Sequence, residues 1–207
     1  MRRRDFLALL PAACGAALVV GGCGKAGPRL PKVEAGGTIL AFGDSLTFGT
    51  GARPEESYPA ALERLIARKV VRAGVPGEVT GQGLARLPEA LEEFAPQLLI
   101  LCLGGNDMLR HGDEATAVAN LRAMIRLAQD KGAAVVLLAP PRPSLLSAAP
   151  EFYTTLAQEF RIPLEAEVLP AVLSDRNLKS DLVHPNAKGY ARIAEQLAKL
   201  LKAAGAL

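Results

Sequence analysis

The chain has 207 residues, enough for one domain plus a leader, and half of them are hydrophobic, which suffices for a single core. The formal net charge is +3, and Arg2, Arg3 and Arg4 account for much of the excess, so the rest of the chain is close to neutral. Aromatic residues make up 4% and Trp is absent. No basic stripe with interleaved aromatics occurs, which argues against nucleic acid as a partner.

The first 22 residues read as an export signal. Three arginines are followed by an apolar run from Phe6 to Val20, then by the small residues Gly21 and Gly22. A membrane-spanning anchor is the rival reading, but the run is shorter than the roughly 20 residues a span needs, and Pro11 interrupts it. Val20-Gly21-Gly22-Cys23 resembles a bacterial lipobox, which implies a lipid on Cys23 as the mature N-terminus. Arg3-Arg4-Asp5-Phe6-Leu7 resembles a twin-arginine export signal. An exported protein on the periplasmic face, held to a membrane through Cys23, is the expectation. Residues 23–37, rich in Gly and Pro, read as a lipidated tether, and 38–207 as the folded domain. Cys14 leaves with the leader, and Cys102 lies in the apolar run Leu98 to Leu103 as a buried strand thiol. No disulfide and no cysteine metal site is then expected.

Strand and helix signals alternate from there. Thr38 to Phe42 is the first strand. Glu55 to Ala67 is helical, with Tyr58, Leu62, Leu65 and Ile66 at helix spacing. Lys69 to Ala73 is a second strand and Gly83 to Phe94 a helix, stopped by Pro96. Leu98 to Leu103 is apolar throughout, as a central parallel strand covered on both faces should be. Asp113 is a plausible cap for a helix to Lys131, with Gly132 as the stop. Ala133 to Ala139 is a fourth strand. After a proline-rich loop come a helix at Glu151 to Phe160, a short strand at Ile162 to Glu165, a helical segment at Ala166 to Ser174, and a last helix from Pro185 or Asn186 to Ala203. This alternation predicts an α/β fold: a three-layer α/β/α sandwich on a flavodoxin-like parallel sheet of about five strands.

Open α/β sheets place ligands at the carboxyl ends of their strands. Four stretches fall there: Gly43-Asp44-Ser45-Leu46, Gly74-Val75-Pro76-Gly77, Gly104-Gly105-Asn106-Asp107 and Asp181-Leu182-Val183-His184. Ester cleavage has a use for each. A serine hydroxyl needs a base, and the chain has only two histidines. His184 has Asp181 three residues before it, able to orient the imidazole, whereas His111 has no such partner. Gly77 can bring a backbone N–H close, Asn106 offers a side-chain amide, and Ser45 its own N–H, as an oxyanion requires. Taken one at a time, Ser45, His184, Gly77 and Asn106 are each more often turn or cap residues. Asp44 reads as a residue that shapes the turn.

The four stretches stand in the order of the sequence blocks of the GDSL family, the SGNH hydrolases. GDSLTFG, AGVPGEVTGQGLARL, LGGNDMLR and SDLVHPNAKGY resemble its bacterial arylesterase, thioesterase and lysophospholipase branch, from Thr38 to the last helix. The resemblance implies Ser45 as nucleophile, His184 as base, Asp181 as its orienting acid, and Ser45, Gly77 and Asn106 as the oxyanion hole. It implies a small-molecule ester substrate, no cofactor and no metal. Two positions depart from the family: Arg72 stands where Asn is common, and Val79 where Thr is common. Met108, Leu109, Arg110, Arg142 and Leu145 are candidates for the substrate-lining wall. The expected activity is hydrolysis of short- to medium-chain carboxylic esters, including aryl esters, acyl thioesters or lysophospholipids, through an acyl-serine. Rivals are an envelope carbohydrate deacetylase and a non-catalytic binding lipoprotein. A flavodoxin-like electron carrier lacks the ring-stacking aromatics it would need.

Overall fold

Strand β1 (Thr38–Gly43) carries the apolar run of the first block, and the sheet is laid out around it. The computed structural model describes residues 27–143 and 148–207. Its five strands lie in the order β2-β1-β3-β4-β5, all parallel, with β2 at Lys69–Gly74, β3 at Leu98–Cys102, β4 at Ala134–Leu138 and β5 at Leu164–Glu165. All five residues of β3 are buried, because helices cover both faces of a parallel sheet. β2 closes one edge and carries Lys69 and Arg72, which discourages pairing with another chain.

The period of two along each strand divides the core into two halves. Ile39, Ala41, Ile100 and Val136 face α2 (Tyr58–Ile66), α7 (Val168–Ser174) and α8 (Ala187–Ala204), meeting Leu62, Leu169, Ile193 and Leu197. Leu40, Phe42, Leu99 and Val135 face α3 (Thr80–Phe94), α5 (Glu114–Asp130) and α6 (Glu151–Phe160), meeting Leu87, Leu121, Ile125 and Leu156. Each fully buried aliphatic side chain contributes about 1.5–3 kcal/mol, so both layers hold the sheet firmly.

The architecture is the expected one, and the differences are local. Two single-turn helices, α1 (Ser45–Phe48) and α4 (Gly105–Leu109), follow directly on β1 and β3. They are too short to show an apolar period. The helix expected from Glu55 is a 3-10 turn at Pro54–Glu56 followed by α2. Helix α3 starts at Thr80 rather than Gly83. The Asp107 carboxylate accepts the Thr80 N–H at 2.9 Å, a cap supplied from α4.

The segment expected to be a tether is in part docked. Leu30 N–H donates to the Ala204 carbonyl and Val33 N–H to that of Ala206, both at 2.9 Å. Val33 is 2% exposed and belongs to the core. Leu30 and Val33 among glycines and prolines show no periodicity to announce them, and their partners lie at the far end of the chain. The leader, Cys14 and Cys23 fall outside the described residues. Cys102 is buried as expected, and burial pushes its thiol well above the ordinary range.

Candidate active site

The serine is set at the edge by the turn that ends β1. Asp44 caps α1, its Oδ1 accepting the Leu46 N–H at 3.0 Å, and Ser45 is the first helical residue. Helix α1 then passes over the end of β2 at Gly74. A Cβ there would lie 2.1 Å from the Phe48 nitrogen, so no other residue admits this crossing. Asp44 is 2% exposed. Burial pushes its carboxyl up to about 7, the Leu46 N–H and the His184 side chain pull it down, and the charge of Glu78 raises it further.

His184 comes from the loop before α8. Ser180 N–H donates to the His184 carbonyl at 2.9 Å, and Asp181 Oδ1 accepts the N–H groups of Val183 and His184, both at 2.8 Å. The other oxygen, Asp181 Oδ2, lies 2.7 Å from His184 Nδ1. Burial alone would raise the Asp181 pKa, but the hydrogen bonds from the His184 ring and the two backbone N–H groups outweigh it. The carboxyl is held below its ordinary range. An ionised carboxylate only accepts, so Nδ1 carries the hydrogen and Nε2 presents its lone pair. That Nε2 lies 3.0 Å from Ser45 Oγ. The structure thus brings Ser45, His184 and Asp181 into one hydrogen-bonded chain.

Gly77 sits at φ +78° in a four-residue turn closed by Glu78 N–H to the Val75 carbonyl at 3.1 Å. Pro76 and Gly77 at its centre are the residues a type II turn requires. Among the described residues the N–H groups of Ser45 and Gly77 donate to no protein acceptor, and both residues line the same cleft. Asn106 lines it too, but both its amide hydrogens are engaged: Nδ2 donates to Asp44 Oδ2 at 3.1 Å and to the Glu78 carbonyl at 3.0 Å. It links the first, second and third blocks.

The cleft has a volume of about 640 Å³ and apolar walls, a size suited to a small ligand. Of the expected lining residues, Leu109 and Arg142 border it. Arg142 is ion-paired with Glu114 at 2.6 Å. Met108 does not border it and faces a neighbouring depression with Asp107 and His111. Arg110 turns to the backbone instead, donating to the Gly77 carbonyl at 2.8 Å, since a carbonyl on the adjacent loop is within reach of its long side chain. Leu145 lies outside the described residues. Pro170 and Leu173 of α7, Lys179 and Leu182 also line the cleft, the first three without any motif to signal them. Leu182 alone had a cue, its place inside the Asp181–His184 loop.

The two departures have physical replacements. Arg72 donates to the Phe48 carbonyl at 2.7 Å and stacks 4.9 Å over the Phe48 ring, closing the C-terminus of α1. Beside Val79, Thr80 supplies the hydroxyl, donating to Asp107 Oδ1 at 2.7 Å. Arg86 supports the same loop through a partly buried ion pair with Glu78 at 2.7 Å.

The profile of the GDSL-like lipase/acylhydrolase family matches residues 41–192. The chain belongs to that family. It is similar to esterase TesA of Pseudomonas aeruginosa, 32% identical over 90% of this chain and 98% of that protein. Thioesterase 1/protease 1/lysophospholipase L1 of Escherichia coli K12 is 31% identical over 83% of this chain and 86% of its own length. A crystal structure of TesA superposes with a TM-score of 0.72 at 30% identity, covering 81% of this chain and 99% of that one. The four stretches at the sheet edge all fall within the residues matched to the GDSL-like family.

Proposed function

We propose that this GDSL-family hydrolase cleaves carboxylic esters with Ser45 as nucleophile, His184 as general base and Asp181 as the residue that orients the base and stabilises its charge. The observation that carries the reading is the unbroken chain from Asp181 Oδ2 to His184 Nδ1 at 2.7 Å and from Nε2 to Ser45 Oγ at 3.0 Å. As Oγ attacks the ester carbonyl, its proton passes to Nε2, and Asp181 stabilises the imidazolium. The developing oxyanion meets the free N–H groups of Ser45 and Gly77. Asn106 joins as a third donor by yielding one of its two present acceptors. The imidazolium then protonates the departing alkoxide, leaving acyl-Ser45. The same imidazole activates water for the second half of the cycle.

Apolar walls and a volume of about 640 Å³ favour a short or medium acyl chain or an aryl group, with thioesters and lysophospholipids as further candidates. They do not favour a carbohydrate, whose hydroxyls need polar partners. A mixture of p-nitrophenyl acetate, butyrate and octanoate assays, on wild type and on Ser45→Ala, tests the proposal. Activity that disappears in a folded Ser45→Ala supports it. A folded wild type inactive on all three chain lengths contradicts it.

We further propose that the chain is exported and carries its lipid on Cys23. The support is the order of arginines, apolar run and Val20-Gly21-Gly22-Cys23 in the sequence. Metabolic labelling with a tagged fatty acid, lost in Cys23→Ala, tests that placement.

A further inference from the structure

The docked strap and the catalytic cleft lie at opposite ends of the molecule. In a parallel sheet all strands run the same way. Ser45 follows the carboxyl end of β1, and His184 stands just before the N-terminus of α8. The strap is pinned to the other end. Leu30 and Val33 bond to the carbonyls of Ala204 and Ala206 at the C-terminus of α8. Glu34 N–H donates to the Gln97 side chain at 2.9 Å, and Gln97 N–H bonds Thr38 at the start of β1. Val33 is buried in the core, so this attachment is part of the folded domain.

Chain length then decides the orientation. Helix α8 has 18 residues, which at 1.5 Å each separates the two ends by about 27 Å. Seven residue steps join Cys23 to Leu30, and even fully extended they reach only about 25 Å. A path around the flank of the domain to the cleft mouth is longer than the helix itself. A lipid on Cys23 would therefore enter the bilayer on the strap side of the domain, not beside the cleft.

Resting on the lipidation proposed above, we infer that the strap holds the cleft away from the membrane that carries the anchor, so that the substrate is an ester arriving from the aqueous side. Esters resident in the anchoring bilayer are out of reach. The exposed Leu182 at the rim, 86% accessible, meets dissolved substrate and not its own membrane.

The test uses the lipidated full-length protein in vesicles, with the mass of the Cys23 peptide measured first. Single labels are placed through Lys32→Cys on the strap and Leu182→Cys at the rim, Cys102 being buried. Nitroxide lipids should quench the label at 32 and leave that at 182 unchanged. A second variant inserts a 20-residue Gly/Ser linker between Gly27 and Pro28. A linker that newly spans the gap raises the local concentration of bilayer substrate from near zero, so hydrolysis of vesicle-resident 4-methylumbelliferyl palmitate should rise about tenfold or more. Turnover of dissolved p-nitrophenyl butyrate should not change. Quenching at 182 equal to that at 32, or equal palmitate turnover with and without the linker, overturns the orientation while leaving the lipid anchor intact. A Cys23 peptide of unmodified mass overturns the anchor and the orientation together.

Discussion

Two aspartates flank the Ser45–His184 pair, Asp44 next to the serine and Asp181 on the imidazole, and they live in opposite surroundings. Asp44 is sealed in the protein, accepts one backbone N–H and one amide, and is pushed up to about 7 by burial. Asp181 lies in a half-exposed loop, accepts three hydrogen bonds and is held below its ordinary range. The residue adjacent to the nucleophile in sequence is thus the poorer carrier of negative charge. The one 136 positions away is built to stay ionised beside an imidazole. Asp181 can stabilise a charge that appears during the reaction. Asp44 holds the turn and keeps the Asn106 amide in place.

Substitutions can break this contrast. The largest effect is expected at the imidazole between Asp181 and Ser45. His184→Ala removes the proposed base, and kcat should fall by about 10⁴- to 10⁶-fold, read by p-nitrophenyl butyrate kinetics. Asp181→Asn keeps the shape of the loop but lets the imidazole adopt the wrong tautomer. It should lower kcat by about 10²- to 10⁴-fold with KM nearly constant.

Asn106→Ala is expected to cost about 10²- to 10³-fold in kcat if the amide turns to the oxyanion. A loss confined to KM would assign it a role in binding alone.

Asp44→Asn sharpens the contrast, with the smallest effect on activity, about tenfold, because an amide there sets donor against donor at Asn106. Its clearer signature is in stability. The folded pKa of Asp44 is about 7, against 3.8 for the free group, so the folded state binds more protons between those values. The contribution of Asp44 is complete below pH 3.8 and is lost as pH rises to about 7. Urea unfolding of wild type should show this loss on going from pH 4 to 7, and Asp44→Asn should flatten it.

The stretches that carry Ser45, Asp181 and His184 were legible because their geometry is local. A strand ending in Gly-Asp-Ser and an Asp three residues before a His each state their geometry within a few residues. Fold class was legible for the same reason, since β3 is apolar along its whole length and the helices repeat at their own period. Contacts made only when loops meet were not legible. The Asp107 carboxylate on the Thr80 N–H, Arg110 on the Gly77 carbonyl, and Pro170 and Leu173 in the cleft wall join segments that no local pattern relates. Val33 is the clearest case, a single valine whose burial depends on a carbonyl at Ala206.

The central claim is that Ser45 forms the covalent intermediate. The most direct measurement is to inactivate the protein with a p-nitrophenyl alkylphosphonate and locate the adduct by peptide mass spectrometry. The account predicts one phosphonyl group, on the peptide containing Ser45, formed with release of one p-nitrophenol and in step with loss of esterase activity. An adduct on another residue, or full inactivation with Ser45 unmodified, would contradict it.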